Sequence, residues 1–138
     1  MKHSNILAVV AVAGLLAACG GPLKYEAISS PRAPGADASI TADVREDQHQ
    51  TELRLEIENL PPADRVEAGD EHYVAWYRRD AKETWKRIAG LEYEGDSREA
   101  VLQTAVPETS FELWVTTEKD LDVVSPSPSI VFEQRIGS

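Results

Sequence analysis

The chain has 138 residues and a formal net charge of −10, from 14 basic and 24 acidic residues. The acidic balance argues against nucleic acid as a partner, because phosphate binding requires clustered Lys and Arg. It also argues against a domain that lies flat on anionic lipid, and it favours a soluble, self-repelling surface.

The N-terminal segment has the parts of a bacterial export signal. Lys2 supplies a positive charge, and the residues from Ile6 to Leu16 form an almost unbroken apolar run. This run is too short for a membrane helix, which needs ~20 apolar residues. Its length matches the hydrophobic region of a cleaved signal peptide.

Two small residues precede the only cysteine of the chain, in the order Leu16-Ala17-Ala18-Cys19. This tetrapeptide resembles the lipobox of bacterial lipoproteins. The resemblance implies that the Cys19 thiol receives a diacylglycerol, that the signal peptide of residues 1–18 is removed, and that the new N-terminus is acylated. The alternative, a secretory signal with an incidental cysteine, is less favoured. Because no second thiol exists, no disulfide can form within the domain.

The residue after Cys19 bears on the destination of the mature protein. In Gram-negative lipoproteins an Asp at that position tends to retain the protein in the inner membrane, whereas this chain has Gly20. We therefore expect a cell-membrane lipoprotein outside the cytoplasm, anchored in the outer membrane if the source is Gram-negative. Residues 19–37 are rich in Pro, Gly and Ser, which predicts a lipidated cysteine followed by a flexible tether.

The remaining residues, 38–138, have the pattern of a β-domain. Leu53, Leu55 and Ile57 alternate with charged residues, which indicates a strand with one buried face. The predicted strands span 39–45, 51–58, 72–79, 85–93 (interrupted at Gly90), 100–106, 110–117 and 130–136, and residues 63–69 could hold one helical turn. These elements predict the all-β class, as a single small antiparallel β-sandwich of about seven strands with an immunoglobulin-like arrangement. Trp76 is predicted to fill the core between the layers.

Three segments carry a second resemblance. They are His72-Tyr73-Val74-Ala75-Trp76, Phe111-Glu112-Leu113-Trp114-Val115-Thr116-Thr117-Glu118, and Pro126-Ser127-Pro128-Ser129-Ile130-Val131-Phe132. Together they are similar to the extracytoplasmic domain of anti-sigma-K factors, over roughly residues 71–133. The resemblance implies a small β-sandwich with a sensory or binding role outside the cytoplasm. The sequence lacks the sigma-binding and membrane-spanning parts of those factors, so sigma binding is not expected.

The sequence offers little catalytic chemistry. His49 and His72 are separated, whereas a metal site needs three or four ligands at set spacings. The usual hydrolase and metalloprotease motifs do not occur, and an acylated Cys19 could not act as a nucleophile. We therefore predict a non-enzymatic protein without a cofactor.

Two kinds of binding feature remain. Oxygen-rich runs could bind Ca²⁺, but neither has the spacing of a Ca²⁺ loop, so solvated charge is the favoured interpretation. These runs are Asp64, Glu67, Asp70 and Glu71 in one loop, and Glu118, Asp120 and Asp122 in another. Trp85, Trp114 and Tyr93 could form a platform for sugar rings, although pairing of aromatic side chains across strands is the favoured interpretation.

These observations favour a lipid-anchored binding or interaction module of the cell envelope. Its partners would be the membrane, through the N-terminal lipid, and an envelope protein. The alternative is a carbohydrate- or metal-ion-binding accessory module, with Trp114 and Trp85 as candidate binding residues.

Overall fold

The computed structural model describes residues 21–137, which form an all-β fold. The strands of this part of the chain are β1 (Leu23–Ile28), β2 (Asp37–Arg45), β3 (Gln50–Glu58), β4 (His72–Arg78), β5 (Lys86–Gly90), β6 (Glu92–Glu94), β7 (Glu99–Val106), β8 (Phe111–Glu118) and β9 (Ile130–Ile136). A 3-10 turn at Glu46–Gln48 joins β2 to β3, and a short helix, α1 (Ala63–Val66), precedes β4. The helical turn expected in residues 63–69 is therefore confirmed.

The strands form two antiparallel sheets. One has five strands in the order β1-β2-β3-β7-β6, and the other has four in the order β5-β4-β8-β9. The series β2-β3-β7-β6 corresponds to the A-B-E-D sheet of an immunoglobulin domain, and β4-β8-β9 corresponds to its C-F-G sheet. The predicted all-β sandwich is confirmed, and the immunoglobulin-like arrangement follows from this strand order.

The core lies between the two sheets and is built from the inward positions of each strand. In β3 the burial alternates strictly, because Leu53, Leu55 and Ile57 are buried while Arg54 and Glu56 between them are exposed. The core cluster includes Ile40, Leu53, Leu55, Ile57, Leu60, Tyr73, Tyr77, Leu102, Phe111, Leu113, Val115, Phe132 and Ile136. Alternation along β3 therefore determines which of its side chains enter the core.

The prediction of a flexible tether over residues 19–37 is wrong for the described part of that segment. Strand β1 pairs with β2 from Leu23↔Ala42 to Ile28↔Asp37, and Ala27, Ala33 and Ala36 are buried against the core. Small residues can be buried without presenting the large apolar side chains on which a sequence pattern depends. The sandwich therefore begins at Leu23 rather than at residue 38.

The prediction of a single strand over residues 85–93 is also wrong. The chain leaves the four-stranded sheet after Gly90 and enters the five-stranded sheet at Glu92, so that β5 and β6 belong to different layers. Between them the Leu91 N–H donates to the Tyr73 carbonyl over 2.9 Å. Two strands of opposite sheets can be contiguous in sequence, and a local pattern does not show the change of layer.

Two tyrosines fix the loop between β3 and α1. The Tyr73 hydroxyl donates to the Pro61 carbonyl at 2.5 Å, and the Tyr93 hydroxyl donates to the Leu60 carbonyl at 2.7 Å. Burial raises the pKa of both phenols above the ordinary value. One tyrosine comes from each sheet, so this pair ties the two layers and the loop together.

No helix within residues 21–137 is long and apolar enough to cross a membrane.

Candidate functional site

The outer face of the four-stranded sheet carries all three tryptophans of the chain, and we call Trp76, Trp85 and Trp114 the tryptophan layer. Trp76 is 0 % exposed but lies outside the core cluster. Its cross-strand neighbour is Trp114, which is only partly buried. Directly paired residues share a face of the sheet, so Trp76 points away from the core. The prediction that Trp76 fills the space between the layers is therefore wrong.

A chain of hydrogen bonds holds Trp76 in place. Its indole N–H donates to Thr116 Oγ1 over 2.9 Å, and the Thr116 hydroxyl donates to Glu118 Oε2 over 2.5 Å. The same carboxylate oxygen accepts the Ser127 N–H at 2.8 Å. Glu118 is only 4 % exposed, so its charge is stabilised by these donors rather than by water.

The loop between β8 and β9 covers this part of the face. The Ser127 hydroxyl donates to the Thr117 carbonyl over 2.8 Å, which fixes the loop to the strand it follows. Leu121 lies so close to Gly90 that a Cβ built there would meet Leu121 Cδ2 at 2.5 Å. A side chain at position 90 would therefore require the Leu121 side chain to move.

The open part of the tryptophan layer contains a stacked aromatic pair and a cation. The rings of Trp85 and Trp114 have centroids 4.0 Å apart and an interplanar angle of 27°. The Arg78 guanidinium carbon lies 4.4 Å from the Trp85 centroid and 5.9 Å from that of Trp114. Arg78 also forms an ion pair with Glu112 at 3.3 Å. The two tryptophans thus pack against each other, as the favoured sequence interpretation expected, and do not form a flat platform.

A shallow cleft of about 280 Å³ lies beside Trp114. Its lining includes Glu112, Glu133, Gln134 and Arg135. The Trp114 indole N–H donates to Glu133 Oε1 over 3.1 Å, which fixes the ring at the edge of the cleft. The cleft therefore presents one aromatic side chain beside carboxylates, an amide and a guanidinium.

The acidic runs of the sequence come together at one end of the sandwich, where hydrogen bonds occupy the two buried carboxylates. The Thr117 hydroxyl lies 2.7 Å from Asp70 Oδ2 and 2.6 Å from Ser129 Oγ. Since it has one proton, it donates to the carboxylate and accepts from Ser129. Among residues 21–137 no group of three or more His, Cys, Asp or Glu side chains could hold a metal ion.

The other predicted site residues are dispersed. His49 is exposed, 3.8 Å from Glu108, and His72 begins β4. Tyr93 contacts Tyr73 with ring centroids 5.7 Å apart, away from the other two platform residues. The lipobox and Cys19 lie outside the described residues.

The sequence pattern did not indicate the role of Arg78 or the contacts of Glu118. Arg78 follows Trp76 by two positions, so it shares a face of β4 with it. This spacing could have placed Arg78 beside the tryptophans. The link from Glu118 to Ser127 depends on the path of a loop, and no local pattern predicts it.

Comparisons with family models, curated proteins and solved structures give no match to this chain. The resemblance to anti-sigma-K factors therefore stays a prediction, and the conclusions about this chain rest on its own residues.

Proposed function

We propose that the protein is a lipid-anchored, non-enzymatic lipoprotein of the cell envelope whose β-sandwich binds another envelope protein. The anchor is supported by the Leu16-Ala17-Ala18-Cys19 motif behind a short apolar run. Two or three acyl chains at Cys19 would give stable attachment, since each buried CH₂ contributes ~0.8 kcal/mol.

The observation that carries the binding proposal is the open part of the tryptophan layer. Trp85 and Trp114 are partly exposed and stacked, and Arg78 lies over them. Tryptophan and arginine are the residues most enriched at the energetic centres of protein interfaces. The pair is also held rigid by stacking and by the Glu133 hydrogen bond, so its ordering on binding would cost little entropy.

Anchoring is tested by membrane fractionation of the full-length chain and its Cys19→Ala variant. The unchanged chain should sediment with membranes, whereas the variant should be recovered in the soluble fraction. A Cys19→Ala variant that still fractionates with membranes would disprove the lipoprotein assignment.

Binding is tested by photo-crosslinking in cells. A photoreactive residue replaces Arg87, the exposed cross-strand neighbour of Trp76, and the matched control places it at Glu92, exposed in the other sheet. We expect a discrete adduct from position 87 and none from position 92. Trp85→Ala should lower the yield of that adduct at least about threefold. Equal adducts from both positions would contradict binding at the tryptophan layer.

A carbohydrate-binding role is the second candidate, favoured by the cleft beside Trp114. Aromatic faces stack on sugar rings, and the neighbouring Glu133, Gln134 and Arg135 could bind sugar hydroxyls. Titration with soluble envelope glycan fragments tests it: heat of binding that is lost in Trp114→Ala, with the unfolding midpoint preserved, would support this role over protein binding.

A further inference from the structure

We propose that the anchor holds one particular end of the sandwich against the bilayer surface and that the opposite, acidic end points away from it. This inference rests on the proposed lipidation of Cys19. It goes further by assigning which surface of the domain faces the lipid headgroups.

The register of the strands defines the two ends. The near end contains the chain entry at Gly21 and the connections of residues 43–50, 79–86 and 107–110. These connections contact one another, because Glu108 lies 3.8 Å from both His49 and Arg79. The far end contains the connections of residues 28–37, 58–72, 94–99 and 118–130.

The far-end connections are likewise joined to each other. The Leu60 N–H donates to the Arg98 carbonyl over 2.8 Å, and the Glu71 N–H donates to the Glu118 carbonyl over 3.0 Å. Each end is therefore one continuous surface, and the strands of the two sheets run between them.

The short connection to Cys19 keeps the near end close to the lipid. Strand β1 begins at Leu23, so the chain between Cys19 and the sheet can span at most about 14 Å. Strand β2 continues beyond the Leu23↔Ala42 pair to Arg45, which carries the β2–β3 turn about 10 Å further toward the near end. The far end lies at the other end of strands up to nine residues long, or about 30 Å away.

The charge distribution opposes the reverse orientation. The far-end connections hold 12 acidic and four basic residues, a net charge of −8, whereas the near-end connections hold six acidic and four basic residues, a net charge of −2. Bacterial membranes with anionic lipid repel the more acidic surface. The near end has an almost balanced charge, so anionic lipid headgroups repel it little at the short distance that the anchor imposes.

The charges also disfavour a domain that lies on the outer face of its five-stranded sheet. The outer face of the five-stranded sheet exposes Glu56, Glu58 and Glu99 in neighbouring strands, toward the far end. Pairing this face with anionic lipid would add repulsion to the like-charge contacts already present. An upright domain avoids this contact, and the acidic composition noted in the sequence is compatible with close anchoring in that orientation.

Fluorescence quenching on vesicles tests the orientation. The full-length lipidated protein, with a fluorophore on Asp47→Cys at the near end or on Asp96→Cys at the far end, is reconstituted into vesicles of phosphatidylethanolamine and phosphatidylglycerol that carry a nitroxide on a lipid headgroup. Both positions are exposed, and the acylated Cys19 would not take the label. Quenching should be at least about threefold stronger at position 47 than at position 96.

A spacer provides the matched control. A Gly/Ser insertion of about twenty residues after Gly21 has a root-mean-square span of about 25 Å, so it should remove the difference between the labels without affecting lipidation. Equal quenching of the two labels in the protein without the spacer, whether strong or weak, would overturn the proposed orientation. Failure of the protein to float with the vesicles would instead disprove the anchor on which the inference rests.

Discussion

Trp76, the largest fully buried side chain of the domain, is held outside the main core by a hydrogen-bonded arrangement that includes a buried carboxylate. Its burial depends on the sheet beneath it and on the loop that follows β8. A second, smaller buried region thus stabilises the four-stranded sheet from its outer side. Substitutions there should act on stability and on loop position together.

Truncation of Trp76 tests this role. Trp76→Ala should lower the free energy of unfolding by ~3–5 kcal/mol, because it removes a fully buried aromatic side chain and leaves a cavity. The matched control is Trp85→Ala, which removes a partly exposed ring and should cost no more than ~1.5 kcal/mol from lost stacking. Urea unfolding of the unlipidated chain measures both, and equal losses would contradict the assignment.

Glu118 gives a second prediction at this scale. Glu118→Ala should cost ~2–4 kcal/mol, because the Thr116 hydroxyl and the Ser127 N–H both lose their acceptor inside the protein. Asp120→Ala, in the exposed part of the same loop, should change stability by no more than ~0.5 kcal/mol. Chemical denaturation provides the comparison; a neutral Glu118→Ala would show that the loop does not depend on this carboxylate.

The sequence pattern predicted that Trp76 is buried but not which face of β4 it occupies. Tyr73, Val74, Ala75, Trp76 and Tyr77 are all buried, so β4 has no alternation that could distinguish the two faces. By contrast, Trp114 was correctly predicted to lie on the outward register, because β8 alternates between apolar and polar residues over its first half.

Strand β1 is the element that brings the start of the sandwich close to Cys19. It is an edge strand with exposed residues at four of its six positions. Such a pattern carries a weak strand signal, and the prolines around it favour a coil interpretation. Its pairing with β2 shortens the connection to the proposed lipid anchor from a long tether to a few residues.

Hydrogen exchange tests β1 directly. The amides of β1 that donate to β2 should exchange at least about tenfold more slowly than the exposed amides of residues 120–125. Because β1 has a neighbour on one side only, protection should alternate along the strand. Uniform fast exchange from Leu23 to Ile28 would restore the tether interpretation.

Tyr73 and Tyr93 should make the stability of the domain depend on pH in the alkaline range. The pKa values of Tyr73 and Tyr93 are raised by burial in the folded protein, so the folded state retains protons that the unfolded chain releases near pH ~10. Stability should be unaffected below that pH and should fall as the pH rises above it. Unfolding midpoints at pH 8 to 11 should show this decline, and the double variant Tyr73→Phe/Tyr93→Phe should reduce its slope. An unchanged slope would show that these two tyrosines do not cause the decline.

At the scale of the whole molecule, the all-β sandwich was predictable because the strands are short, frequent and separated by Pro, Gly and Asn. The division of residues 85–93 between two sheets was not predictable, since the change of layer depends on long-range packing at Leu91. The candidate site was predictable in part: Trp85 and Trp114 were identified, but the participation of Arg78 and the cleft beside Trp114 depend on the pairing of β4, β8 and β9.

The charge polarity is also a property of the whole molecule. The acidic residues at the far end come from connections that are distant in the sequence, between residues 28 and 130. Only the fold brings them together, so a net charge computed along the chain does not show the asymmetry. This asymmetry, with the short connection to Cys19, is the reason that we expect an oriented domain at the bilayer.

The proposed lipid at Cys19 underlies both the proposed function and the orientation, so intact-mass spectrometry of the membrane-extracted protein tests the account most directly. We expect a mature chain that begins at Cys19 and carries the mass of a diacylglycerol and an N-terminal acyl group. A chain without acyl groups, or one that begins at a different residue, would contradict the account.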